Sequence, residues 1–262
     1  MNDKENKIIF AGAGPGDPEL ITIKSMKALE SADLIIYAGS LVPEAVLCWK
    51  GSSTETISSA GMNLEQIIAK IKNYHDLGKR VVRLHTGDPS LYGAIFEQIR
   101  ELQKLKIPYE VLPGVTAAFA AASKMGMEYT LPEITQTLIL TRVSGRTPVP
   151  GSEDLETLAA HKSSMAIYLS IGHAEKVQKI LKKHYGAQAL CAIAYKVSHP
   201  EEQIFYTRIQ NLVKTCQEND ITRHALIIVG KAVEASRGTQ DLIQSKLYDA
   251  AFSHGYRNGS RK

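Results

Sequence analysis

The sequence predicts an α/β fold in two domains, with a parallel sheet in the first and a mixed sheet in the second. Short apolar, β-branched runs alternate with helix-periodic segments through the first half, the pattern of parallel strands joined by right-handed crossovers. A composition shift at Met125 to Glu133, without periodicity and with one proline, marks a hinge. Beyond it, Gln203 to Thr207 alternates as an antiparallel strand does. At 262 residues, 44% hydrophobic and 22% charged, the chain is long enough for two domains that each bury a core. The expected division is 1–113 and 114–240, followed by a terminal helix and tail over 241–262.

Taken in order, Lys7 to Ala11 reads as a strand, Gly12-Ala13-Gly14-Pro15-Gly16-Asp17-Pro18 as a glycine-rich turn, and Glu19 to Ser31 as a helix. A dinucleotide site is the obvious suggestion, and the residues argue against it. The third glycine position is Asp17, which can cap the helix itself, and two acids in the first turn disfavour a pyrophosphate. The acid that a nicotinamide ribose requires after the next strand is missing, because Leu34-Ile35-Ile36-Tyr37 ends in Ala38-Gly39. Thr54 to Ile57 reads as a short strand. Asn63 to His75 follows as a helix with Leu64, Ile67, Ile68 and Ile71 on one face.

Val81 to Leu84 reads as the central buried strand, stopped by Gly87-Asp88-Pro89 ahead of a helix over Pro89 to Leu105. Glycine lets a ligand approach the backbone. Asp88 presents a carboxylate at the C-terminal mouth of the sheet, the edge where open α/β sheets bind ligands. A carboxylate there suits hydroxyls, amines or positive charge and repels phosphate; equally, Asp88 can serve simply as the cap of its helix. Strand Tyr109 to Leu112 leads to Pro113-Gly114 and a small-residue helix start over Val115 to Ala122. There Thr116 can donate a hydroxyl to a ligand, or the alanines can serve tight packing alone.

In the second half Thr137 to Thr141 reads as a strand, followed by the long loop Arg142 to Gly151. It is stiffened by prolines and carries Arg142 and Arg146, which fits either recognition or a solvated turn. Strands follow at Met165 to Leu169, Leu190 to Tyr195 and Ala225 to Val229, and helices at His173 to Lys183, Leu212 to Cys216 and Gln240 to Phe252.

The formal charge of +4 includes no Lys/Arg run dense enough for a nucleic-acid face, and the end from Arg257 to Lys262 is expected to be solvated and frayed. Cys48, Cys191 and Cys216 form no CxxC pair, so neither a disulfide framework nor a metal site is expected. The start, Met1 to Lys7, lacks a signal-like apolar stretch and no later segment approaches a membrane span, from which a cytoplasmic protein without membrane contact is expected. Of eight histidines, His85 is the one expected in the cleft; none forms an HxxxH pair.

The turn Gly12 to Pro18, the Gly87-Asp88-Pro89 turn, Pro113-Gly114-Val115-Thr116-Ala117 and Ala225-Leu226-Ile227-Ile228-Val229-Gly230 resemble, in order, the motifs of the tetrapyrrole methylases. The resemblance runs from about Lys7 to Ala232. The segment Thr141-Arg142-Val143-Ser144-Gly145-Arg146-Thr147-Pro148-Val149-Pro150 is similar to the signature of the branch that methylates C11 of precorrin-4, with or without cobalt in the ring, during corrin assembly. One departure is plain. Related uroporphyrinogen methylases carry an acid and a lysine where this chain has Ala38 and Ser58, which argues against uroporphyrinogen as substrate.

The resemblance implies two α/β domains with a cleft between them, a homodimer, and S-adenosyl-L-methionine as methyl donor, with S-adenosyl-L-homocysteine as product. Carried over by position, donor contacts fall to Pro15, Gly87, Asp88, Leu91, Thr116, Ala117, Leu169, Val197 and Ala225. Arg142 and Arg146 are the candidates for the carboxylates of the tetrapyrrole, and Tyr37 and Tyr92 for the lining of its trough. The implied chemistry is in-line displacement at the sulfonium methyl, with no proton-transfer residue assigned. Methylation at another precorrin position, diphthine synthesis and non-catalytic tetrapyrrole carriage stay open as alternatives.

Overall fold

The computed structural model describes residues 6–39, 42, 44–238 and 245–260. They divide into two compact units, one running to Ala120 and including Val197–Pro200, the other made of Ala121–Lys196 and the residues from Glu201 onward.

In the first unit β1 (Ile8–Gly12), β2 (Leu34–Tyr37), β3 (Glu55–Ser58), β4 (Val81–His85) and β5 (Tyr109–Leu112) form a parallel sheet in the order β3-β2-β4-β1-β5. Period-two alternation sorts the side chains between its faces. Ala11, Ile35, Val82 and Leu84 share one core with Leu29 of α1 (Ile23–Ser31). Ile8, Phe10, Ile36 and Val81 share the other with α2 (Leu64–Asp76) and α3 (Ile95–Lys104). With both faces covered, the strands are apolar on both sides, as parallel sheets require.

That arrangement locates a crevice. The chain leaves β1 for β2 through α1 on one face, and leaves β4 for β5 through α3 on the other. β1 and β4 are neighbours, so their C-terminal ends form the switch point at which the connections diverge.

Two helices start later than the sequence suggests. Asp17 accepts the Glu19 amide at 2.9 Å and caps only a 3-10 turn, Pro18–Leu20; α1 begins afresh at Ile23, capped by Thr22, whose hydroxyl accepts the Ser25 amide at 3.2 Å. The helix expected from Pro89 begins at Ile95, because Tyr92 and Ala94 hold φ of 57° and 48°, left-handed values that a right-handed helix excludes. Asp88 is therefore not the cap of that helix. By contrast α2 starts as its sequence indicates, on an Asn63–Gln66 capping box with both bonds at 2.9 Å.

Helix α4 (Ala117–Met125) contains the point at which the two units divide. The second unit then runs β6 (Leu138–Arg142), α5 (Leu155–Ala159), β7 (Ser164–Tyr168), α6 (Ala174–Tyr185), β8 (Leu190–Tyr195), β9 (Gln203–Arg208), α7 (Leu212–Glu218), β10 (Ala225–Val229) and α8 (Lys231–Ser236). Its sheet has the order β6-β7-β10-β8-β9; β6 and β7 are parallel and the remaining pairs antiparallel, so it is mixed. Buried Met165, Ile167, Leu181, Ile193 and Ile227 centre its core, which also takes in Cys191 and Cys216 as free thiols.

Of the helix expected over Gln240 to Phe252, residues 240–244 lie outside the described residues, and Lys246–Tyr248 is a 3-10 turn instead. The tail is also less frayed than expected. Arg257 Nη2 donates to the carbonyls of Leu247 at 2.8 Å and Asp249 at 2.6 Å, folding residues 245–260 on themselves. Met1 to Glu5, on which the expectation about a leader partly rests, and Arg261-Lys262 lie outside the described residues. Among the described residues no helix is long and apolar enough to cross a membrane.

Candidate functional site

All five strands of the first sheet run the same way, so the loops after them share one edge. At the switch point these loops are joined through their backbones. The Gly87 amide donates to the Gly14 carbonyl at 2.8 Å, the Gly14 amide returns a bond to the Gly87 carbonyl at 3.3 Å, and the Ala13 amide donates to His85 O at 2.7 Å. Gly12 completes the contact: a Cβ there would lie 2.6 Å from both Gly114 Cα and Gly87 O. Only glycine permits so close an approach.

Asp88, half-buried, braces two of these loops. Its Oδ1 accepts the Ser90 amide at 2.8 Å and its Oδ2 accepts the Gly114 amide at 2.9 Å. Each oxygen keeps a further lone pair for a ligand hydroxyl or amine. Gly87 has φ of 60°, yet a Cβ there would meet nothing nearer than Thr116 Cα at 3.8 Å, so its backbone is open to a ligand. Along the same edge stand Pro15 and Thr116, both buried, the half-buried Leu91, Tyr37 and Ala117, and Tyr92, which is 43% exposed. Val197 is buried and groups with this unit.

His85 is not part of that edge. It shares a strand face with Val81 and Arg83, is 3% exposed, and stacks on Phe10 at 6.0 Å between centroids, on the α2/α3 side. Burial and the Arg83 charge push its imidazole down to about 3, a hydrogen bond to the Gly93 backbone opposing them, so the ring stays neutral. Among the described residues its Nε2 has no hydrogen-bond partner. Arg83 beneath it is also buried, donating from Nε to Gln98 at 3.1 Å and from Nη1 to the Ile36 carbonyl at 3.1 Å. The expectation that placed His85 in a cleft fails because strand alternation turns it inward.

In the second unit, register again gathers the candidates. Arg142 pairs with Tyr168, Ile167 with Ile227, and Tyr195 with Ala225, which puts Arg142, Leu169, Ala225 and the β8–β9 connection at one edge of the mixed sheet. Leu169 is 62% exposed with φ of 51°, and Ala225 is half-buried. The two arginines differ sharply. Arg142 spends its guanidinium on its own loop, Nη1 donating to the carbonyls of Val143 at 3.3 Å and Thr147 at 3.0 Å, and Nη2 to that of Pro148 at 2.8 Å. Arg146 lies exposed at the tip of that loop. Two further bonds tighten the loop: Val143 N to Ser170 Oγ at 2.9 Å and Val149 N to Ser144 Oγ at 3.0 Å. Sequence reasoning missed the clasp made by Arg142, since nothing in the residue order says which carbonyls a guanidinium will meet. Among the described residues no group of three or more His, Cys, Asp or Glu side chains is placed to hold a metal ion.

The family model for Tetrapyrrole (Corrin/Porphyrin) Methylases matches residues 7–213. The chain belongs to the tetrapyrrole methylases. A cobalt-precorrin-4 C(11)-methyltransferase of Methanocaldococcus jannaschii is 46% identical over 261 residues, covering 99% of each chain. Among solved structures, a cobalt precorrin-4 methyltransferase aligns with a TM-score of 0.86 and 40% identity, over 89% of this chain and 98% of the other. A uroporphyrin-III C-methyl transferase from Thermus thermophilus, complexed with S-adenosylhomocysteine, aligns with a TM-score of 0.72 and 25% identity, over 87% and 94%. The two-sheet α/β architecture is thus that of the methylase family.

Proposed function

We propose that the chain transfers a methyl group from S-adenosyl-L-methionine to C11 of cobalt-precorrin-4 or precorrin-4, yielding the corresponding precorrin-5 in cobalamin biosynthesis. The observation that carries this reading is near-complete, end-to-end likeness at 46% identity to a relative of that name. Ala38 and Ser58, where uroporphyrinogen methylases carry an acid and a lysine, favour the corrin substrate over uroporphyrinogen.

The switch-point geometry suits the donor. S-adenosyl-L-methionine supplies an electrophilic methyl on a cationic sulfur. Asp88 accepts hydrogen bonds from its hydroxyls or amine, and a carboxylate tolerates a neighbouring sulfonium where a phosphate loop gains nothing from one. Gly87 offers its bare backbone for close approach, and Pro15, Leu91, Thr116, Ala117 and Val197 complete the first unit's donor contacts; Leu169 and Ala225 are assigned to the donor on family likeness alone. Arg146 holds tetrapyrrole carboxylates through forked bonds, and Tyr37 and Tyr92 line the trough. The residues act by fixing donor and acceptor within attack distance, a contribution worth up to about 7–11 kcal/mol in favourable model reactions. The protein works in the cytoplasm as a homodimer, a reading that rests on family likeness and is checked by sedimentation.

The deciding experiment is incubation with methyl-labelled donor and each tetrapyrrole, with NMR location of the new methyl. Label at C11 of either precorrin-4 form supports the reading, and the preferred form says whether cobalt precedes methylation. Label at another carbon, or none, rejects it.

A further inference from the structure

The connection between β8 and β9, Lys196-Val197-Ser198-His199-Pro200-Glu201-Glu202, departs from an ordinary hairpin tip. Both strands belong to the second unit, yet residues 197–200 group with the first. Its backbone is also strained, since Lys196 and Ser198 hold φ of 44° and 71° without being glycine. A polar loop of this length relaxes into water unless its surroundings hold it, and strain of this kind gathers at functional sites.

The holds are visible. The Lys196 amide donates to the His224 carbonyl at 2.9 Å, and Val197 is buried at 5% exposure. His199 supplies a third. A Cβ built on Gly16 would lie 2.6 Å from His199 Cδ2 and 2.8 Å from Nε2, and its three nearest atoms all belong to that ring. The imidazole is therefore seated against the bare Cα of Gly16, in the turn between β1 and α1. Two residues earlier Gly14 exchanges both of its backbone bonds with Gly87. His199 thus presses one end of a turn whose other end is fixed to the Gly87-Asp88 loop at the switch point.

We infer that His199 is a positioning residue for methyl transfer: through Gly16 it holds the β1–α1 turn, and with it the donor contact Pro15, in place against the Gly87-Asp88 loop. It acts by packing against the bare Cα of Gly16. The inference rests on the proposed C11 methylation, and it adds a residue that no motif marks.

The test uses the full chain with His199→Ala, His199→Phe, Gly16→Ala and the double variant His199→Ala/Gly16→Ala. Turnover of cobalt-precorrin-4, calorimetric binding of S-adenosylhomocysteine and amide exchange of the β1–α1 turn without substrate are measured. His199→Ala weakens S-adenosylhomocysteine binding about tenfold and raises the KM for the donor while kcat at saturating donor stays within about twofold, the pattern of lost donor binding rather than lost chemistry. It also speeds exchange at the Gly14 amide. His199→Phe, which keeps a ring, recovers most of the loss with the wild-type pH profile. Gly16→Ala alone is worse than the double variant, because removing the ring makes room for the added methyl. Unchanged S-adenosylhomocysteine affinity or unchanged Gly14 exchange in His199→Ala overturns the inference. So does a His199→Phe variant as impaired as His199→Ala with an altered pH profile, which would make the imidazole proton the working part. A wild-type chain that leaves the tetrapyrrole unmethylated overturns the functional reading, and this one with it; the exchange result separates the two failures.

Discussion

Asp88 and Gly114 are joined by a carboxylate–amide hydrogen bond of 2.9 Å that ties the loop after β4 to the loop after β5, 26 residues apart in sequence. The same carboxylate holds the Ser90 amide, so one side chain sets the shape of the crevice and, in the proposed function, is also the acceptor for the donor. Asp88→Ala removes both bonds and the ligand acceptor together. Hydrogen bonds to charged groups are worth about 1.5–3 kcal/mol, so S-adenosylhomocysteine binding should weaken by about 10- to 100-fold in calorimetry. Undiminished affinity would remove Asp88 from the donor site. Asp88→Asn should fall between, because its amide can accept only one of the two backbone donors.

Arg142 and Arg146 sit four residues apart and have opposite geometries, one bonded to three loop carbonyls and the other exposed at the tip. If Arg142 acts on the tetrapyrrole only by shaping the loop for Arg146, the two changes share one effect. Arg146→Ala should raise KM for the tetrapyrrole about tenfold, donor-product affinity remaining as it was, and Arg142→Ala should do the same. The double variant should be little worse than either. Multiplied losses would mean that each arginine touches substrate on its own. Arg142→Lys should fail to rescue, because an ammonium cannot reproduce a planar fork aimed at separate carbonyls.

The legible parts of this protein were those that local chemistry decides. Alternation and apolar runs gave the strands, Asn63 with Gln66 announced α2, and the turns of Gly12 to Pro18 and Gly87-Asp88-Pro89 proved to be the ones that meet at the switch point. What stayed hidden depended on partners distant in sequence or on backbone conformation. Tyr92 and Ala94 carry no residue-type signal for positive φ, so the start of α3 was misplaced. His85 is the last residue of buried β4, and its inward direction is fixed by strand alternation, which puts it on the face of Val81 and Arg83 and stacks it on Phe10. The contact of His199 with Gly16 spans 183 residues and leaves no trace in either local sequence.

Gly12 and Gly87 are both required, for different reasons, and substitution should separate them. At Gly12 an added methyl meets backbone atoms of Gly114 and Gly87 at 2.6 Å, none of which can swing aside. Gly12→Ala should therefore cost stability in urea denaturation, by about 1–3 kcal/mol as for overpacked cores. At Gly87 the methyl finds room, and the cost is that of a left-handed alanine, about 1–2 kcal/mol. Because that methyl occupies space left for a ligand, Gly87→Ala should lose donor-product affinity out of proportion to its stability loss. Equal affinity losses in the two variants would contradict the placement of the donor beside Gly87.

His85 gives the fold a specific acid sensitivity. Its ring is neutral in the folded chain down to about 3, held there by burial and by Arg83, whereas in the unfolded chain it takes up a proton near 6.5. Between those values the unfolded state binds a proton that the folded state refuses, so stability falls as pH is lowered through the window, by about 1.4 kcal/mol per pH unit at the steepest. Above pH 6.5 both states are neutral and the contribution is flat. Glutamine at this position cannot titrate. The difference in unfolding free energy between the wild type and His85→Gln, followed by urea titration from pH 7 to pH 4, should therefore move steadily in favour of the variant as acid is added. Carboxylates that titrate in the same range cancel in that difference. A constant difference across the window would mean that His85 takes up its proton without unfolding, and that Arg83 does not oppose it.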